Sequence, residues 1–190
     1  MTRSESWSMI DRRRMLGAMG TGAVGLLAGC LGGEELPEPV DLDDGQACDQ
    51  CGMVIEDHPG PVGEIYFEDN APDDRDGPAW FCSSICTYTY RFDRTDEGWS
   101  PIVTYLTDYS TVDYTVSGDD NGISAHLAAD DFAAESDLML VVRSQITGAM
   151  GKAIVPFGDE AEAESFADTY DGETIDPGEI TRELVDEMGM

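Results

Sequence analysis

Basic residues are scarce in this chain of 190 residues, which holds 10 lysines and arginines against 40 aspartates and glutamates. The formal net charge is −30 at pH 7, and Lys152 is the single lysine. A chain without a basic patch does not attract a phosphate backbone, so we exclude nucleic acid as a partner. A hydrophobic fraction of 41% also excludes a wholly disordered acidic chain, because enough apolar residues are present to form a core.

Long apolar runs are also missing. Residues 15–29 form a Gly/Ala-rich apolar stretch, which is shorter than the ~20 residues that a membrane-spanning helix needs. The stretch follows arginines 12–14 and ends in Leu-Ala-Gly-Cys at residues 27–30. This order is typical of a twin-arginine lipoprotein signal, so the sequence predicts a signal over 1–29 and a lipid anchor on Cys30. An anchor helix that is never cleaved is the alternative.

The predicted mature chain is more acidic still. Residues 1–29 hold four arginines and two acidic residues, so residues 30–190 keep 6 basic and 38 acidic residues, a formal charge of −32. Self-repulsion of this size destabilises a compact protein at low salt and is screened at high salt. An exported, lysine-poor and aspartate-rich chain resembles the proteins of extreme halophiles. We therefore expect a halophilic protein at the extracytoplasmic face of the cell membrane.

The polar residues 30–46, with two prolines and several glycines, predict a flexible tether. From residue 47 onwards, strand and helix patterns alternate. The expected elements are strands at 62–68, 79–82 and 101–109, a helix at 83–94 that begins at Ser83, a hairpin turn at Asn121-Gly122, strands within 137–144 and 151–158, a helix at 159–172, a short strand near Thr174 and a last helix at 176–189. This order predicts an α+β fold of two small ββαβ units, over 47–117 and 118–190.

Four cysteines follow Cys30 in the spacing C-x2-C, a gap of 30 residues, and C-x3-C: Cys48, Cys51, Cys82 and Cys86. A tight turn lets the first two sulfurs face one point, and the second two share a side of a helix N-terminus, which favours thiolates. Four converging thiolates are the ligands of a tetrahedral zinc site. Two structural disulfides, in any of three pairings, are the alternative for an exported protein.

Met53 suggests a softer metal than zinc. It lies two residues after Cys51, and thiolates combined with a thioether favour Cu(I), whereas zinc gains little from a thioether. The alternative is that Met53 only fills space in the core. His58 is a further candidate ligand, against an exposed loop histidine before Pro59, and Met150 is a candidate thioether from the second unit.

The sequence has no glycine-rich phosphate loop and no HExxH motif, so it predicts a protein that is not an enzyme. A thiol–disulfide oxidoreductase is the enzymatic alternative, because C-x2-C is also a redox motif. Redox motifs normally open a helix, however, and here Gly52 and a strand-like run follow the second cysteine.

These motifs together resemble the NosL family, the lipid-anchored accessory proteins of nitrous oxide reductase. The resemblance spans residues 47–172 and rests on "CDQCGM" before a strand, on "FCS", and on "GAMGKAIVPFGDEAEAESFADTYDGE". It implies a pair of ββαβ units, binding of Cu(I), and delivery of copper to apo nitrous oxide reductase in denitrification. The lipoprotein signal is also typical of the family.

One element departs from this resemblance. "FCSSIC", which contains Cys82 and Cys86, looks like the short TRASH type of metal-binding cysteine module. The chain is therefore predicted to hold a site of Cys48, Cys51 and Met53 to which Cys82 and Cys86 are added. This larger thiolate set leaves zinc as the alternative metal, and another exported copper enzyme as the alternative client.

Overall fold

The computed structural model describes residues 36–72 and 75–189, which belong to one unit of the chain, 35–190. Its first half is a four-stranded antiparallel sheet with one helix, in the strand order β2-β1-β3-β4. The elements of this half are β1 (Gly63–Phe67), β2 (Ala79–Phe81), α1 (Ser84–Asp96), β3 (Pro101–Thr107) and β4 (Phe132–Ala134).

The second half repeats the outline with a three-stranded antiparallel sheet, in the order β8-β5-β9, and a two-stranded ribbon, β6-β7. Its elements are β5 (Met139–Val142), β6 (Thr147–Gly148), β7 (Gly151–Lys152), β8 (Val155–Phe157), α2 (Glu160–Thr169), β9 (Glu173–Ile175) and α3 (Arg182–Met188). Short 3-10 turns lie at Ile55–Asp57, Ala129–Asp131, Glu135–Asp137 and Pro177–Glu179. The predicted α+β fold with a ββαβ outline in each half is confirmed, but β4, which falls in the predicted second unit of 118–190, pairs with β3 in the first sheet.

The two longest helices begin where the sequence indicates. The Ser83 side chain accepts a hydrogen bond from the Cys86 amide at 3.0 Å, and Asp159 accepts one from the Glu162 amide at 3.0 Å. Each of these caps satisfies a backbone donor that the first turn of a helix leaves free, and is worth ~1 kcal/mol. Both helices therefore start directly after a short strand.

One core joins the two halves. Tyr88 of α1 and Leu106 of β3 pack with Leu140 of β5 and Leu184 of α3 in one cluster of buried residues. Burying each large apolar side chain contributes roughly 1.5–3 kcal/mol. Because this cluster is shared, the second half fixes α1 in position, and the first turn of α1 carries Cys86.

The predicted hairpin turn is present as a short loop rather than a full hairpin. A single antiparallel bridge joins Val116 to Ile123, and the Ser117 amide donates to the Gly122 carbonyl at 2.9 Å. Asn121 has φ = 56°, a left-handed conformation that asparagine tolerates better than most residues.

The prediction of a flexible tether over 30–46 is wrong for residues 36–46, which the structure describes. Residues 37–42, which we call the strap, lie along the outer face of the first sheet. The hydroxyls of Tyr66 and Tyr105 donate to strap carbonyls at 2.7 and 2.8 Å, and the Leu42 amide donates to the Leu127 carbonyl at 2.8 Å. Leu42 is fully buried. Its burial and these bonds hold a segment that the polar composition suggested would be free.

The last predicted helix is also shorter than expected. The segment folds as the 3-10 turn Pro177–Glu179 and then α3, which Thr181 caps by accepting from the Leu184 amide at 3.2 Å. Ile180 therefore lies between the two elements rather than on the helix. Among the described residues, no helix combines the length and apolar character needed to cross a membrane. The predicted signal and Cys30 lie outside the described residues.

Candidate metal centre

The first two cysteines lie on a tight loop that precedes the first sheet. A bridge between Ala47 and Val54 closes this loop, the Cys48 amide donates to the Met53 carbonyl at 2.8 Å, and the Gly52 amide donates to the Cys48 carbonyl at 2.8 Å. Gly52 has φ = 78°, which strains residues with a side chain. The glycine after the second cysteine therefore allows the sharp turn that directs both sulfurs to one side.

The other two cysteines lie where β2 passes into α1. Cys82 follows the strand, and Cys86 lies in the first turn of the helix, one turn later. The Ser84 hydroxyl accepts from the Ile154 amide at 3.1 Å, which ties this junction to the second half of the protein. The junction is therefore held by two hydrogen bonds, one from the Cys86 amide to the Ser83 cap and one from the Ile154 amide to Ser84.

The structure brings all four sulfurs together. The Sγ atoms of Cys48, Cys51, Cys82 and Cys86 lie within 4.8 Å of one another, with 3.5 Å between Cys51 and Cys82 and 3.9 Å between Cys82 and Cys86. Four thiolates at ~2.3 Å from a central ion would be ~3.8 Å apart, so the cluster has the dimensions of a tetrahedral metal site. A disulfide needs ~2.05 Å, and all four cysteines are free thiols in this arrangement.

Burial divides the four cysteines. Cys48, Cys82 and Cys86 are at most 3% exposed, whereas Cys51 is exposed to solvent. An opening of about 480 Å³ lies beside Cys51, and Cys86, Met150 and Asp186 also line it. The site is therefore reached from solvent through this opening, where Cys51 is exposed.

The cysteines strongly affect each other's ionisation. Hydrogen bonding from Cys82, and then from Cys86, lowers the pKa of Cys48, whose thiolate accepts these bonds. The same hydrogen bonding to Cys48 raises the pKa of Cys82 and of Cys86. One thiolate thus resists the formation of a second one nearby. A bound cation reverses this effect because it stabilises every thiolate that it contacts.

Of the other predicted ligands, Met53 packs beside the cysteines, whereas His58 is not grouped with them. Met53 is half-buried and packs against the core cluster that contains Cys48, Cys82 and Cys86. His58 is not in the group of metal-ligating side chains found among the described residues, which consists of the four cysteines. His58 ends the 3-10 turn after the loop, where its amide donates to the Ile55 carbonyl at 3.2 Å.

Sequence reasoning overlooked Asp49, which lies between the first two cysteines. Its amide donates to the Trp80 carbonyl at 3.0 Å, and its carboxylate accepts from the Trp80 amide at 2.8 Å. These bonds dock the loop onto β2, two residues before Cys82. In so acidic a chain, no sequence signal separates this aspartate from the other acids.

Comparison with known proteins assigns the chain to a family. The NosL family model matches residues 39–185, which is most of the chain. The chain belongs to the NosL family. The predicted resemblance is thereby confirmed, and it covers both halves of the fold.

Two relatives support this assignment. The copper-binding lipoprotein NosL of Stutzerimonas stutzeri is 28% identical over 166 residues, which cover 85% of this chain and 77% of that protein. The crystal structure of the copper chaperone NosL from Shewanella denitrificans matches with a TM-score of 0.59 and 26% identity, over 78% of this chain and 99% of that one. Their names agree with the sequence prediction that this NosL-family protein is not an enzyme.

Proposed function

We propose that this protein is a lipid-anchored, extracytoplasmic metallochaperone that carries Cu(I) and delivers it to nitrous oxide reductase. The observation that carries the proposal is the convergence of four free cysteine sulfurs within 4.8 Å of one another in a NosL-family chain. Soft thiolates favour Cu(I) among the metals that such a site can bind. Copper is the cargo of this protein rather than a resident cofactor.

Transfer would proceed by ligand exchange at Cys51. Cys48 and Cys82 are buried away from the 480 Å³ opening, and Cys86 lines it but is itself buried, whereas Cys51 is exposed beside it. A donor atom of the client would enter this opening and replace Cys51 first. The remaining ligands would then be replaced one at a time, so that the ion never loses its whole coordination sphere.

Zinc is the competing cargo, because four thiolates at these distances also fit Zn(II). Met53 is the residue that favours copper. Its half-buried side chain packs against the cluster that includes three of the cysteines, and a thioether contributes more to Cu(I) than to Zn(II). A redox role fits less well, because Cys51 is followed by the turn at Gly52 and not by a helix.

The binding experiment uses protein purified anaerobically with reductant. We expect about one Cu(I) per chain and four reactive thiols after the metal is removed. Substitution of both Cys48 and Cys51 by serine should abolish binding. Glu164→Ala, which changes an exposed residue of α2, serves as the control. Thiols that are quantitatively bridged in protein taken directly from the cell envelope would favour the disulfide alternative.

The delivery experiment mixes copper-loaded protein with apo nitrous oxide reductase and measures copper on each partner after separation. We expect copper to move to the reductase, and we expect a Cys51→Ser variant that still binds copper to transfer it faster, because the ligand that the client replaces first is already missing. If copper moves instead to another exported copper enzyme, the client assignment is wrong although the chaperone role stands.

The anchor is tested by mass spectrometry of the protein from membranes. The prediction is a mature N-terminus at Cys30 with a lipid attached, and Cys30→Ser should release the protein or leave it unprocessed. An intact N-terminus at Met1 in the membrane fraction would overturn the lipoprotein assignment.

A further inference from the structure

The two cysteine pairs come from separate parts of the chain, so something must hold them together before a metal arrives. The contact that joins them is the reciprocal pair of hydrogen bonds between Asp49 and Trp80. The Trp80 indole adds a third bond, which its Nε1 donates to the Ala47 carbonyl at 2.8 Å. The loop of Cys48 and Cys51 is thus fastened to β2, which leads directly to Cys82.

Arg75 closes this contact from the outside. Its guanidinium donates to both oxygens of the Asp49 carboxylate, with 3.1 Å between Nη1 and Oδ1, and Nη2 also donates to the Pro78 carbonyl at 3.0 Å. The guanidinium carbon lies 3.5 Å from the centre of the Trp80 ring. The Arg75 and Asp49 side chains are 24% and 15% exposed, so water screens this ion pair only partly.

Charge gives Arg75 a second role. A carboxylate between two metal-binding cysteines repels thiolates, and the complex of an ion with several thiolates is itself negative. A bidentate arginine offsets the charge of Asp49 while it fixes its orientation, which a lysine would do less well. Only 6 basic residues follow residue 29, and this one is placed beside the metal loop.

We propose that Asp49 and Arg75, which we call the clamp, are positioning residues that preorganise the four-cysteine site and thereby set its affinity for the metal. They touch no metal ion themselves. Because they hold the loop in its binding conformation in advance, the protein loses less conformational freedom when the ion binds. The inference rests on the proposed function, since it assumes that the cysteine cluster binds Cu(I).

The test compares Asp49→Asn and Arg75→Gln with Arg91→Gln. Arg91 is a matched control because it also forms a partly buried ion pair, with Glu135, and stacks on an aromatic ring, 4.7 Å from the centre of Tyr88. Competition titration against a Cu(I) chelator should show binding about tenfold weaker in the two clamp variants, or about 1.4 kcal/mol. The change in Arg91→Gln should stay below twofold, even if its melting temperature falls equally.

The second readout needs no metal. Cys48 is buried on the same loop. In reduced, metal-free protein, its rate of alkylation should rise several-fold in both clamp variants, because the loop loosens, and should not change in Arg91→Gln. The double variant Asp49→Asn/Arg75→Gln should bind Cu(I) no more weakly than the single variant with the lower Cu(I) affinity, since the two residues act as one unit.

Equal Cu(I) affinities, or equal alkylation rates, in Arg75→Gln and Arg91→Gln would overturn the proposal. A double variant in which the two losses add would also overturn it. If the wild-type protein binds no Cu(I), the proposed function fails. The alkylation rates alone then decide whether the clamp holds the loop.

Discussion

The two halves of the protein use the same junction for different purposes. In the first half, the passage from β2 to α1 carries Cys82 and Cys86, whose sulfurs face those of the preceding loop. In the second half, the passage from β8 to α2 carries Phe157, whose ring lies 5.0 Å from that of Phe166 on the helix. The first half has an equivalent ring pair, Phe81 and Tyr90, with centres 5.1 Å apart, so the cysteines are what distinguishes its junction.

This difference separates function from stability. The aromatic cluster of the second half is complete without any ligand, and Tyr109, Tyr114 and Tyr170 extend it through further ring contacts. Such pairs add ~0.5–1.5 kcal/mol each beyond the area that they bury. The first half has ring pairs of its own, Phe67 with Trp99 and Phe81 with Tyr90, so what it adds to this packing is the group of four cysteines.

The largest expected effect comes from Phe166→Ala, which breaks the second half. Phe166 is 4% exposed and contacts three aromatic rings, so its loss should lower the free energy of unfolding by ~3–5 kcal/mol. Denaturant unfolding at high salt, with and without Cu(I), measures the change. Glu164→Ala on the same helix is the control. A loss that disappears when the metal is bound would show that the halves do not differ as described.

A smaller effect should come from metal binding itself, and it should depend on the first half. Free Cu(I) at 100 times the dissociation constant should stabilise the wild-type protein by ~2.7 kcal/mol. Cys82→Ser should lose most of this gain, because Cys82 is fully buried in the centre of the cluster. Phe166→Ala should keep the gain in full. Calorimetry with a chelated-copper buffer measures both variants, and an equal gain in the two would contradict the assignment of the metal to the first half.

Much of this contrast could be predicted from the sequence. The spacing of the four cysteines indicates that they converge, and Ser83 and the strands around it are where local patterns place them. These features depend on neighbours close in the chain, where turn and capping preferences are strong. The α+β class follows from the order of the elements alone.

Contacts between residues far apart in the chain could not be predicted from the sequence. The strap buries Leu42 against residues more than 80 positions later, at the Leu127 carbonyl, and its polar composition gave no sign of this. The alternation of apolar and polar residues in β1 would place Glu64 on the solvent face, yet the strap covers it. Asp49 and Arg75 could not be distinguished among so many acids without knowing that Trp80 lies beside them.

Glu64 is a second difference between the halves, and it predicts a pH effect. It is fully buried in β1, where both carboxylate oxygens face the Val40 amide of the strap at 3.2 and 3.3 Å. The corresponding first strand of the second half, β5, has the apolar Leu140, Val141 and Val142 instead. Burial, with a smaller contribution from the charge of Asp41, raises the pKa of Glu64 from 4.5 to about 8.

The sign of the effect follows from this raised pKa. Below about pH 4.5, Glu64 is protonated in both the folded and the unfolded protein. As the pH rises from 4.5 to 8, the unfolded chain releases the proton while the folded chain keeps it, so stability is lost. Tyr66 and Tyr105, which flank the carboxylate, stay protonated over this range because burial raises the pKa of each.

Glu64→Gln should therefore stabilise the protein at alkaline pH. We expect a gain of about 2 kcal/mol at pH 9 and little change at pH 4, because glutamine keeps the acceptor for Val40 without a charge. The gain is smaller than the full pKa shift implies, since opening of the strap lets water reach the carboxylate. Unfolding curves across this pH range measure it, with the exposed Glu68→Gln as control. Parallel curves for wild type and Glu64→Gln would rule out a buried, titrating carboxyl.

The smallest effect is expected from Met53→Leu, and it decides between copper and zinc. Leucine conserves the volume of methionine approximately, so the free energy of unfolding should change by less than ~1.5 kcal/mol. If the Met53 thioether binds the metal, Cu(I) affinity should fall about tenfold, or ~1.4 kcal/mol, while Zn(II) affinity hardly changes.

Met139→Leu is the matched control, because Met139 is also half-buried and packs against the aromatic cluster of the second half. Parallel competition titrations with a Cu(I) chelator and a Zn(II) chelator measure both variants. Equal Cu(I) affinities in Met53→Leu and Met139→Leu would reduce Met53 to a packing residue. The difference between the halves would then rest on the four cysteines alone, a ligand set that suits zinc as well as copper.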